Sequence, residues 1–356
     1  MNLFKLRGEL TNRALIILSL AGVALVLGLW IVLTSGADPV FPPAILPTPA
    51  RVLGAFEDLY RDNDIVRNTF LSIGLNLAGY VEAILLAIPL GFLIGLLPIY
   101  RGGFQYQIDA IRYIPLTALT GLFIVWFGVG VSMKVHFLAV GILLYLLPVM
   151  IQRIDEVQDV FLKTVYTIGA NGWQTFRTVY FPSVISRVSD DIRVLTAISW
   201  TYIIVAEGIS SEGGIGSLIW RVGLRQGRVD KVFAMLIIIM VIGVLQDRFL
   251  VWLDRQFFPY KYQLREQDKI GRMQEQSVVS VLWQYAVGVL FWIVCGVYVL
   301  LFVNELIPFL GSKLLSYLFG STVWVVHGVA LVLITYFAYK ALVPLMNTRK
   351  KGQAQA

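Results

Sequence analysis

Cysteine is nearly missing from this chain. Cys295 stands alone among 356 residues, so a disulfide framework or a thiolate metal site is excluded, and a place as a small core residue is left for it. Charge is scarce as well: 14% of residues are charged against 58% apolar, whereas a soluble domain carries about 25% charged residues. That scarcity excludes a soluble globular protein. There is no Gly-x-x-x-x-Gly-Lys-Ser/Thr stretch, so the chain cannot cradle ATP phosphates on a P-loop. It also lacks a serine nucleophile elbow, a His-Glu-x-x-His run and any His and carboxylate pair at metal spacing, so no catalytic set, metal or cofactor is expected. No basic stretch is interleaved with aromatics, which argues against a nucleic-acid partner despite the net charge of +7.

What is present is long apolar runs. The mean hydropathy is +0.76, and about 20 apolar residues cross a bilayer as a helix. Eight stretches qualify: Ala14 to Leu33, Thr69 to Leu97, Ile114 to Val131, Val135 to Ile151, Ile192 to Ile209, Val232 to Leu250, Val278 to Val303 and Thr322 to Val343. The fold class is therefore an all-α polytopic membrane protein bathed in lipid. An even count puts both termini on one side, and most of the 29 Lys and Arg fall on the segments sharing that side, which makes the termini cytoplasmic. The first run follows Lys5, Arg7 and Arg13 without an Ala-x-Ala cleavage signal and reads as a retained anchor.

Between the fourth and fifth runs lies a polar loop, residues 152–189. Asp155 or Asp159 can cap a helix start there. Val157, Phe161, Val165 and Ile168 recur at helical spacing, and Gly169 can take the left-handed turn that ends the helix. A second short helix is expected from Gly172 to Tyr180, stopped by Pro182. A short amphipathic helix on the wet face of a membrane protein either lies on lipid or fits a groove on a partner.

The spans carry several polar signals. In the second, Ala83, Ala87, Gly91 and Gly95 sit four apart and make one face smooth enough for close helix approach, while Pro89 should kink it. Glu82 lies near mid-membrane, where a charge costs roughly 2.5 to 3.5 kcal/mol. It is either a cavity residue or a hydrogen-bonded carboxyl between helices. The third run is barely long enough to cross and is interrupted by Pro115 and glycines. Broken helices in transporters tend to line pathways, with Thr117 and Thr120 as polar candidates or as ordinary back-bonded hydroxyls. In the fifth, Thr196, Ser199, Trp200, Ile203 and Glu207 share one stripe that should face protein or water. His327, without an acidic or cysteine companion, reads as an interhelical donor.

Several of these stretches occur together in one family. Gly169, Val179 and Phe181-Pro182 keep the spacing of the cytoplasmic coupling loop of ABC-importer permeases, whose pattern is Glu-Ala-Ala, three residues, Gly, nine residues, Ile, one residue, Leu-Pro. Lys163-Thr164-Val165 stands where the Glu-Ala-Ala triplet falls, which implies an adapted ATPase partner. Leu46-Pro47-Thr48-Pro49, Ile88-Pro89-Leu90-Gly91, Trp126-Phe127-Gly128-Val129-Gly130, Ser199-Trp200, Ala206-Glu207 and Gly213-Gly214-Ile215-Gly216 also resemble the family, most closely its nitrate, sulfonate, taurine and bicarbonate class.

The resemblance runs from Leu46 to about Tyr262. It implies a permease subunit of a binding-protein-dependent importer in a bacterial inner membrane, not itself an enzyme, with ATP hydrolysis in a separate ATPase. The implied partners are ABC ATPase subunits, a periplasmic or lipid-anchored binding protein, and a second copy or a second permease. Phe161, Lys163, Val165, Gly169, Ala170, Phe181 and Pro182 become the candidate ATPase contacts. Glu82, Thr117, Thr120, Thr196, Ser199, Trp200 and Glu207 become the pathway candidates. The domain reading is an anchor and outer connection over 1–45, a permease core over 46–262, a polar linker over 263–277, and an accessory hairpin with a basic tail over 278–356. The rival class is an ion-coupled secondary transporter, which needs inverted repeats and buried charge relays.

Overall fold

The computed structural model describes residues 11–36, 38–209, 212–262 and 278–353. The expected linker over 263–277, the first ten residues and the last three lie outside the described residues. Among the described residues, seven helices are long and apolar enough to cross a membrane, and a bent pair makes an eighth if it counts as one span. The third run, expected over Ile114 to Val131 and broken at Pro115, is the second half of that pair, which starts earlier than expected: α4 (Pro98–Ile111), a 3₁₀ turn (Leu116–Leu119) and α5 (Thr120–Phe127), with a 94° bend. Pro115 lies at the break. Its ring and missing N–H keep the chain from continuing as one helix.

The chain begins with α1 (Asn12–Thr34), whose most apolar stretch is entirely unburied by protein. Trp30 ties its end down by donating Nε1–H to the Pro47 carbonyl at 2.9 Å. Next comes α2 (Pro49–Asp62), capped by Thr48 with Pro49 at the first helical position. Its buried residues Val52, Ala55 and Leu59 fall three and four apart on one face.

The central helix is α3 (Ile65–Leu96), and it presents two four-residue stripes. One is small: Gly79, Ala83, Ala87, Gly91 and Gly95. Against it lies α6 (Val131–Asp155). A Cβ at Gly79 would sit 2.7 Å from Leu138, one at Gly91 2.6 Å from Met150, and one at Gly95 2.5 Å from Ile154. The two helices therefore run parallel in constant register, and the bent pair between them must carry the chain back across the bilayer. Lipid tails are as apolar as the side chains, so this close approach, rather than hydrophobic expulsion, holds the pair together.

The second stripe of α3 is polar: Asn68, Ser72, Asn76 and Tyr80. It meets α9 (Phe181–Ile209), which runs the other way. A glycine-rich turn then leads to α10 (Ile215–Leu218), a π-helical segment (Ile219–Leu224), and α11 (Val229–Phe257). The last helices are α12 (Val278–Leu306), the short α13 (Leu314–Phe319) and α14 (Val323–Gln353). This hairpin touches α3 at one end, where Thr322 fills the notch at Gly74 and Phe319 meets Phe70 edge-on at 5.4 Å. At the other end it touches α11, where Trp252 lies against Phe291 at 4.6 Å and Phe337 at 5.3 Å.

Candidate functional site

The loop between α6 and α9 holds α7 (Asp159–Thr167) and α8 (Gly172–Thr175). Neither expected aspartate caps α7: Gln158 occupies the cap, and Asp159 is the first helical residue, where its charge favours the helix N-terminus. Gly169 has φ +78, the left-handed turn expected of it, and the Ala170 N–H returns to the Val165 carbonyl at 3.0 Å. At α8 the cap is Asn171, in a reciprocal box with Gln174.

Pro182 does not stop the second helix. The chain from Gly172 to Ile209 is continuous over 38 residues. A π turn at Phe176–Tyr180 widens the backbone immediately before the proline, at a place where the helix can proceed without the proline N–H.

Of the residues expected to meet an ATPase, Phe161 and Lys163 are exposed on α7, together with Val160, Tyr166 and, just past its end, Ile168. Val165 and Ala170 are half-buried under the loop. Phe181 stacks on Phe92 at 5.9 Å, and the Pro182 carbonyl accepts from Tyr260 at 3.2 Å. Trp173 adds a further exposed aromatic. The loop is braced by charge. Arg153 grips Asp191 with two bonds of 2.8 Å and Glu156 with one of 2.7 Å, and Arg187 donates to the Glu156 carbonyl at 3.1 Å. The Arg153 hydrogen bond, with the charges of Arg153 and Arg187, holds Glu156 below the usual carboxylate range. Next to it, buried Asp254 accepts from Ser189, from Lys261 at 3.0 Å and from Tyr262 at 2.5 Å. Burial and the Asp254 carboxylate push the Tyr262 hydroxyl up to about 12.

The pathway candidates divide into three groups. Thr196, Ser199, Trp200 and Glu207 are all buried on the α9 stripe and spend their polar groups within the chain. Tyr80 donates to Thr196 at 3.3 Å, Asn76 to Ser199 at 3.0 Å, and Trp200 to Gln246 at 3.0 Å. Glu207 accepts from Ser72 at 2.7 Å and from the Gly216 N–H at 2.8 Å, while Ser72 in turn accepts from the Ile215 N–H at 2.9 Å. The carboxylate thus pins the glycine-rich turn to α3 and α9. At Gly214, φ is +103 and a Cβ would lie 2.2 Å from the Glu207 carboxyl carbon, so only glycine fits.

The second group lies in the broken span. Thr120 is buried and bonds back to the Thr117 carbonyl at 2.6 Å, while Thr117 is exposed. Glu82 stands apart from both groups. It is half-exposed and meets His136 at 2.7 Å, and the His136 ring lies 4.4 Å from that of Phe127. Sequence reasoning missed His136, because nothing in the chain pairs positions 54 apart until the register of α3 and α6 is known. It also missed the stripe Asn68, Ser72, Asn76 and Tyr80, whose four-residue repeat was a readable signal. His327, expected as an interhelical donor, lies 2.6 Å from the Tyr298 hydroxyl on α12.

The chain matches the binding-protein-dependent transport system inner membrane component family over residues 87–258. It is similar to the permease subunits of ABC importers, among them those of sulfonate and taurine systems. Similar proteins include a putative aliphatic sulfonates transport permease of Bacillus subtilis, 29% identical over 67% of this chain and 85% of that one. The taurine transport system permease of Escherichia coli is 25% identical over 68% of this chain and 89% of its own length. A putative ABC transporter permease of Methanocaldococcus jannaschii is 29% identical over 63% and 85%. Among solved structures, the inward-facing MetNI methionine ABC transporter aligns with 55% of this chain and 95% of that one at 15% identity, with a TM-score of 0.48.

Proposed function

We propose that this chain forms half of the translocation pathway of an ATP-driven importer for a small sulfonated solute. The names of the Bacillus and Escherichia relatives favour a sulfonate or taurine over the nitrate and bicarbonate also carried by the class. A second copy or a second permease completes the pathway, both termini are cytoplasmic, and a binding protein delivers the solute.

The observation that carries this reading is the braced loop. It offers Val160, Phe161, Tyr166, Ile168 and Trp173 as exposed apolar side chains around a fixed glycine turn. Such a rigid, apolar and wet surface suits an ATPase groove. For the pathway we favour the half-exposed Glu82 and His136 with the broken span, and assign the buried α9 stripe to holding the helices together. Residues 46–262 then act as the transporting unit and the hairpin as an accessory.

Reconstitution with its ATPase and binding protein tests the proposal. Uptake of radiolabelled taurine that requires ATP, and is lost in Gly169→Val while the ATPase still copurifies with the variant, supports it; a side chain in that left-handed turn costs about 1 kcal/mol or more. Uptake driven by a proton gradient without any ATPase would favour the secondary-transporter class instead.

A further inference from the structure

A cavity of about 220 Å³ lies between the hairpin turn, α3 and α6, at the end of the bundle away from the coupling loop. A water molecule's share of liquid is about 30 Å³, so the space holds a small tetrahedral ion with some of its water. Lys134, Arg67, Ser321 and Glu212 are among the residues that line it.

Lys134 is the unusual member. It is only 1% exposed; its backbone N–H bonds the Gly130 carbonyl at 3.4 Å, while among the described residues its ammonium meets no side-chain or carbonyl acceptor. The carboxylates of Glu207 and Glu212 act on it through their field, and that of Glu207 is engaged by Ser72 and Gly216. An ammonium carries three donors, and one set beside this cavity is well placed to meet an acceptor that enters it. The second cation is held in place: Arg67 donates Nε–H to the Tyr317 carbonyl at 3.2 Å and lies 4.8 Å over the Tyr317 ring. Among the described residues its terminal nitrogens take no other acceptor and stand at the cavity. Ser321 adds an exposed hydroxyl, whereas Thr322 spends its own on the Phe319 carbonyl. Glu212 supplies the one opposing charge.

We propose that this cavity binds a single phosphate or sulfate group, either as a free ion or as the headgroup of an anionic lipid whose chains lie along the hairpin. Lys134 is the buried anchor and Arg67 the clamp brought by the hairpin contact. The site is separate from the transport pathway and holds whatever the solute is.

The test uses the full chain purified in detergent. Inorganic phosphate and sulfate are titrated against the melting midpoint at constant ionic strength, and phosphatidylglycerol is compared with phosphate-free diacylglycerol by native mass spectrometry. Wild type should bind one equivalent saturably. Lys134→Met should weaken binding about tenfold or more, as loss of a charge-assisted hydrogen bond requires. Arg67→Gln should weaken it several-fold, and Glu212→Gln should tighten it. If only the free ions act, the ligand is soluble; if only phosphatidylglycerol acts, it is a headgroup. Should Lys134→Met fail to fold, the opposite shifts of the other two variants decide the matter. No saturable binding by wild type, or binding equal in all variants, overturns the proposal and leaves Lys134 as a counter-charge for Glu207.

Discussion

The trio of α3, α6 and α9 and the pair α12 and α14 are both strongly apolar, yet they are held in place by different chemistry. In α3 and α6, 44% of the most apolar stretch is buried; in α12 the figure is 6%. The trio is joined by glycine notches and by buried pairs such as Asn76 with Ser199 and Ser72 with Glu207. The hairpin is joined by an aromatic cluster at Trp252 and by Thr322 at Gly74. Hydrophobicity alone therefore does not decide which helices lie at the centre of a membrane protein. Small residues and satisfied polar groups do.

The sharpest way to break this contrast is Gly91→Leu, which drives a branched side chain into Met150 at its Cβ, an atom fixed to the backbone. Overpacking costs about 1 to 3 kcal/mol, and we expect a lower melting midpoint together with loss of transport. Next is Glu207→Leu, which strands the Ser72 hydroxyl and the Gly216 N–H. Each stranded buried group costs about 1 to 3 kcal/mol, so thermal unfolding should come earlier, with Glu207→Gln much closer to wild type.

On the hairpin side, Trp252→Ala removes the centre of the aromatic cluster. Faster hydrogen exchange over Val278–Leu306 with transport retained is the expected outcome, and lost transport would make the hairpin part of the mechanism. The smallest effect concerns pH. Glu156 has a lowered pKa, so its bond to Arg153 contributes above the ordinary carboxylate range and is lost as pH falls through the lower folded value. Below about pH 4, hydrogen exchange in α7 should rise while α3 stays protected.

How much could be read from the chain differs between the same regions. The small-residue face of α3, the glycine turn at 169 and the apolar runs were legible because each repeats within one helix or one turn. The break at Pro115 was legible too, though not its angle, which depends on how α6 packs. Pro182 misled, because a proline reads as a stop until the π turn beside it is seen. The partners of Glu207 and Glu82 were hidden, since 135 and 54 residues separate them from Ser72 and His136 and no local pattern carries a register between helices.

The unbroken helix from Gly172 to Ile209 has a mechanical consequence. Its 38 residues extend about 57 Å, well beyond the roughly 30 Å of hydrocarbon. Such a rod is a lever. Its short arm leaves the membrane beside Arg153, Asp191 and Asp254, where salt bridges form a fulcrum, and its long arm ends at Glu207 under the glycine-rich turn. A tilt imposed at the loop end would therefore arrive at the other end with little lost to bending, except where the π turn and Pro182 soften the rod.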